Sequence, residues 1–264
     1  MKTPSTVIQV VKMIRMRNIS LFGLVALFFL CAGQTATKEK KGVKEMCITF
    51  DELPASESFG EVDKVAFNNR ILTALQKHEV KAAGFVVGAN IGNSYDLLGQ
   101  WLNDGHILGN LTYSEQDLNE TGIEQFIKDI TLGSETLEPM LSGFGQKRRY
   151  FRYPFLHYGS SVETKRQVKL YLDDQDIVIA HATVIVEDYL YNLSFEKLGK
   201  EPDSAKYASL RYGYISHVLE QVERCEALAA EMLNRRCRHI LLLRANRLNA
   251  EFLDDLLTAL KDMG

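Results

Sequence analysis

The residues of this chain that could do chemistry stand singly or in pairs just after short apolar runs. Asp51-Glu52 follows residues 46–50, and Glu115 comes four positions after Leu111. Arg152 follows Tyr150-Phe151, Glu187-Asp188 follows the β-branched stretch 177–186, and Arg244 follows 240–243. A carboxylate can bind a hard cation through oxygen. An arginine stays charged at working pH and pairs with carboxylates. Asp51-Glu52 therefore reads either as a reactive acidic pair or as a solvated strand end, and Arg152 either as a salt-bridging or as a catalytic residue. Tyr189 and Tyr191 either line a binding site or belong to the core, because aromatic faces suit both. The histidines offer no rival centre. His78, His181, His217 and His239 lack partners at metal-ligand spacing, His106 reads as a structural turn residue, and His157 as a packing residue.

The elements that must position these residues alternate between two periods. Apolar or β-branched runs at 46–50, 82–87, 107–110, 150–152, 177–186 and 240–243 predict strands, with one or two in the fifth stretch. Apolar residues at helical spacing predict helices over 62–78, 96–103, 122–141, 204–235 and 250–261. Strands alternating with helices imply a parallel sheet covered by helices, either a barrel or a doubly wound sheet. In both, chemistry gathers at the carboxyl ends of the strands. That is where the residues above stand.

The chain has 264 residues and a formal net charge of −3, so it exerts no global pull on nucleic acid. At 46% hydrophobic and 25% charged residues it is neither disordered nor a multi-span membrane protein. Lys2, Lys12, Arg15 and Arg17 precede the uncharged run 21–32, and small or polar residues follow at 33–37. Residues 1–36 are thus expected to be a signal peptide cleaved between about 33 and 36, or an uncleaved N-terminal anchor. Met13 or Met16 is an alternative start. The mature chain is expected outside the cytoplasm, periplasmic or extracellular, touching a membrane only through that segment if it stays. Cys47, Cys225 and Cys237 remain after cleavage, an odd number that leaves at least one free thiol. Cys47, in an apolar strand, is expected in the core.

The strand ends also carry a family resemblance. Thr49-Phe50-Asp51-Glu52-Leu53-Pro54, the stretch 105–115, Phe151-Arg152-Tyr153-Pro154, Glu187-Asp188-Tyr189 and Leu241-Leu242-Leu243-Arg244 resemble, in order, the five motifs of the NodB-homology polysaccharide deacetylases, carbohydrate esterase family 4. The resemblance covers about residues 44–262. It implies a distorted (β/α) barrel over 37–264 and a glycan as substrate or ligand. It also implies a divalent metal, usually zinc, and hydrolysis of N- or O-acetyl groups. By that resemblance Asp51 is the base, Arg152 orients it, and Asp188 pairs with the group at 244 that protonates the leaving group. Glu52 and Glu115 stand at metal-ligand positions, and Tyr189 at a substrate-facing one.

The motifs depart from the family where the chemistry is done. Glu52 replaces an aspartate, Leu111 and Glu115 replace the two metal-binding histidines, and Arg244 replaces the acid histidine. Leucine ligates nothing, and a guanidinium is a poor proton donor. The metal site is therefore expected to be degraded, with Arg152 neutralising Asp51 and Glu52 in its place, and Asp188 salt-bridged to Arg244. The expected products are an impaired deacetylase or a glycan-binding relict. An active hydrolase holding a metal on carboxylates is the alternative. By the same resemblance a final strand would start where the sequence stops, at Gly264, so the barrel is expected either to close or to lack its last strand and leave one sheet edge open.

Overall fold

The computed structural model describes residues 44–55, 61–199 and 203–264; the stretch 1–36, expected to be a signal peptide or anchor, lies outside them. Seven strands form one sheet: β1 (Met46–Leu53), β2 (Ala83–Val86), β3 (Ile107–Asn110), β4 (Arg149–Phe151), β5 (Ile177–Ile179), β6 (Val184–Ile185) and β7 (His239–Arg244). Every pairing is parallel, in the order β5-β4-β3-β2-β1-β7-β6. That order is the chain order run around a circle and cut between β5 and β6. A doubly wound sheet would reverse direction partway. The two edge strands are joined by residues 180–183 alone, a link that reaches roughly 18 Å at full extension. The sheet must therefore curl until its edges approach, which gives the distorted (β/α) barrel.

Among the described residues seven α-helices accompany the strands, six of them between strands and the last after β7: α1 (Glu61–Lys77), α2 (Tyr95–Asn103), α3 (Ile123–Gly143), α4 (Val162–Asp174), α5 (Asp188–Glu196), α6 (Ser204–Leu233) and α7 (Arg247–Met263). Alternation along β1 sends Ile48 and Phe50 into the main core, with Trp101 of α2 and Phe252 and Leu256 of α7. Phe50 meets Trp101 edge-on at 5.6 Å between ring centroids. Each such fully buried side chain contributes about 1.5–3 kcal/mol of transfer free energy. The opposite face of the sheet carries a smaller cluster of Ala83, Phe85, Val87 and Leu111.

Two sequence expectations need correction. Cys47 is exposed: period two turns it away from the core face of Ile48 and Phe50, and it stands at the open start of β1, before the buried run that begins at Ile48. It is a free thiol, as are Cys225 and Cys237. The helices α4 and α5 have no counterpart in the apolar pattern. In α4 only Val168 and Leu172 are buried while Val162 and Leu170 are exposed, so the stripe is too narrow to register. In α5 the buried positions are Asp188 and Asn192, polar residues that hydrophobic periodicity passes over. The 177–186 stretch holds two strands, within the one or two expected, and they lie on opposite edges of the sheet.

Candidate functional site

Strand register builds the site. Asp51 of β1 stands opposite Arg244 of β7, and Asn110 of β3 opposite Phe151 of β4. The Arg152 N–H donates to the Asn110 carbonyl (3.0 Å) and the Leu111 N–H to that of Val86 (2.9 Å), which levels the remaining strand ends. The residues singled out from sequence as Asp51, Leu111, Arg152 and Arg244 are thus brought to one end of the barrel.

Arg152 is completely buried. Its Nη1 donates to Asp51 Oδ1 (2.6 Å) and Thr49 Oγ1 (2.8 Å), and its Nε to the Ala180 carbonyl (3.1 Å). The guanidinium lies over the Phe85 ring, 4.1 Å from its centroid, where the ring face favours a cation. Thr49 Oγ1 in turn donates to the Leu241 carbonyl (2.7 Å), so the arginine ties β4 to β1 and to the link between the two edge strands. Burial pushes the Asp51 carboxyl up from its ordinary range, and Arg152 pulls against it.

A second ion network stands beside the first. Glu52 has a left-handed backbone, φ 67°, where the β1 register slips between Phe50 and Leu53. Its Oε1 accepts from Arg244 Nε (3.0 Å), and Arg244 Nη1 donates to Asp188 Oδ1 (2.7 Å). Asp188 is fully buried and also accepts from the Arg244 N–H (2.6 Å) and from Asn249 Nδ2 (2.7 Å). The Asn246 side chain caps α7 by accepting from the Asn249 N–H (2.9 Å), which orients Asn249 towards Asp188. The Asp188–Arg244 pair is as expected. The neutralisation of Glu52 is not: Arg244 performs it, and Arg152 is committed to Asp51. Burial pushes the Glu52 carboxyl up, with Arg244 opposing.

The family's metal can be tested against these donors. Leu111 is fully buried among Ala83, Phe85 and Val87 and offers no donor atom. Glu52 is taken by Arg244. Glu115 is half-buried on a left-handed residue, φ 56°, its N–H donating to Thr112 Oγ1 (2.8 Å). Among the described residues no three His, Cys, Asp or Glu side chains come together as a metal-holding group. The donor set among the described residues does not fit a divalent metal.

A cleft of ≈760 Å³ opens over the second network, lined among others by Glu52, Tyr189, Arg244, Phe155, Asp117 and His157. Tyr189 is 45% exposed with the Arg244 guanidinium 5.1 Å from its ring centroid, and Phe155 is 53% exposed. Tyr191 packs instead against Tyr214 and His217. His157 is not the packing residue its sequence context implied. Its imidazole is partly exposed and Nδ1 lies 2.8 Å from Asp117 Oδ2. The two are 40 positions apart, and no local pattern signals that they meet. His106 is structural as expected. It is buried, its Nδ1 accepts from the Ala82 N–H (3.1 Å), and burial lowers its pKa to about 4.

The curled parallel sheet, with carboxylates and guanidinia gathered at its carboxyl end, makes this a (β/α)-barrel protein with its charged groups where such barrels carry their sites. The sequence model of the polysaccharide deacetylases matches residues 38–171, and the chain belongs to the polysaccharide deacetylase family. It is 30% identical over 145 residues to a peptidoglycan-N-acetylglucosamine deacetylase of Bacillus cereus, covering 55% of this chain and 46% of that one. It is 28% identical over 139 residues to a chitin deacetylase of Arthroderma benhamiae, covering 50% and 33%. The chain therefore spans half or less of the curated relatives it matches. Among solved structures, a carbohydrate esterase family 4 pseudoenzyme from Bacillus anthracis superposes with a TM-score of 0.56 at 18% identity, covering 84% of this chain and 62% of that one, a likeness of fold.

Proposed function

We propose that this chain is an exported glycan-binding member of the polysaccharide deacetylase family whose hydrolysis of N- or O-acetyl groups is impaired or lost. One observation carries the reading: the guanidinium of Arg244 bonds both Glu52 and Asp188. It occupies the carboxylate that the family gives to the metal, and it stands where the family has its proton-donating histidine. A guanidinium stays charged through any working pH, so it supplies no proton to a leaving group. Asp51 and Arg152 keep the base and the residue that orients it, a pair left without a cation to act upon. The exposed faces of Tyr189 and Phe155 support retention of sugar binding in the cleft.

The carboxylate-metal alternative would need Asp51, Glu52 and Glu115 together, and Glu52 is already paired. No helix among the described residues is long and apolar enough to cross a membrane, and export rests on the segment before them. The test is acetate release from acetylated chitooligosaccharides, run beside a binding titration and metal analysis on the purified mature protein. Saturable binding without acetate above the buffer level is expected. Sustained turnover with stoichiometric metal would overturn the reading.

A further inference from the structure

The charges lining the cleft point to the class of glycan it takes. Four carboxylates line it: Glu52, Asp117, Glu120 and Glu196. Against them stand Arg244 and His157. Arg244 has one positive charge and shares it between Glu52 and the buried Asp188 behind the wall. Counting Asp188, five carboxylates face one guanidinium and one imidazole, so even with His157 protonated the balance is negative. Glu120 and Glu196 are exposed on separate elements, a loop after β3 and the end of α5. A divalent metal would offset two of these charges, and the donor set does not hold one. Phe155 and Tyr189 meanwhile offer flat apolar faces of the kind on which pyranose rings stack.

An anionic lining with aromatic faces matches a ring that carries a positive charge. We propose that the cleft selects de-N-acetylated amino sugar, a glucosaminyl unit with a protonated amine, over the neutral acetylated form. The inference rests on the glycan-binding reading above and names its ligand class. The protein would then recognise glycan that has already lost its acetyl groups. Complementary charge mainly sets specificity and encounter rate, and it weakens with salt.

The test titrates the mature protein with the free-amine tetramer of glucosamine and, separately, with the fully N-acetylated tetramer, by calorimetry. The free-amine tetramer should bind about tenfold tighter. The pair Glu120→Gln and Glu196→Gln should lose about tenfold of that affinity, at roughly threefold per exposed charge. Both positions are exposed, and glutamine at 196 still accepts from Asn192 Nδ2 (3.0 Å), so the fold should be kept. Raising sodium chloride to roughly 1 M, where screening shortens to about 3 Å, should erase the preference. Equal or tighter binding of the acetylated tetramer would overturn the inference and leave the glycan-binding reading standing. Binding of neither tetramer would overturn both.

Discussion

At the scale of single residues, Arg244 is the hinge of the account. It donates to Glu52 and Asp188 with its side chain 23% exposed, so water screens part of the interaction. Arg244→Met should destabilise the fold by about 2–3 kcal/mol, less than the roughly 3–5 kcal/mol of a fully buried pair left half-broken. Adding Glu52→Gln to that variant should recover about 1 kcal/mol, because one orphaned carboxylate is removed. Urea denaturation of the two single variants and the double variant measures both terms. Unchanged stability in Arg244→Met would mean that the guanidinium holds nothing. The Asp188–Arg244 pairing was legible in the sequence because both residues occupy ordered motifs. The bond from Arg244 to Glu52 was not. It depends on the parallel register of β1 and β7 and on the left-handed turn at Glu52, neither of which residue types reveal. His157 and Asp117 were missed for the same reason: they meet across 40 positions.

Among the elements, strands were easier to read than helices. The runs of β1, β2, β3 and β7 are buried and apolar enough to stand out, while α4 and α5 hide because their buried faces are short or polar. Local structure depends on polar contacts at element ends too. His106 joins the segment before β2 to the turn before β3 by accepting from the Ala82 N–H, and it packs edge-on against Trp101. Burial holds its pKa at about 4, below the ordinary 6.5 of an unfolded histidine. The unfolded chain therefore takes up this proton first as the solution is acidified. The stability tied to the neutral imidazole is complete above pH 6.5 and is lost progressively as pH falls from there towards about 4. Thermal melts across that window should show the decline, and His106→Gln should flatten it. An identical slope in the variant would assign the decline to other groups.

For the whole molecule, the circular strand order and the four-residue link between the edge strands make the barrel, and Arg152 binds that link at Ala180. The alternation of strands and helices left barrel and doubly wound sheet both open; only the pairing order separates them. Export is proposed from the basic stem and apolar run of residues 1–36. Sequencing the N-terminus of protein recovered outside the cytoplasm should find a start near residue 34, and an intact Met1 in the cytosol would refute it. We propose that a guanidinium stands in for metal at the strand ends, and zinc calorimetry is the sharpest check of that proposal. Wild type should give no saturable one-site binding. Leu111→His, Glu115→His and Glu52→Asp together should remain weak while Arg244 stays, because its guanidinium competes for the carboxylate at 52. Adding Arg244→His should bring one-site binding, since three ligands are then free to coordinate. Tight stoichiometric zinc binding by the wild-type protein would contradict the account.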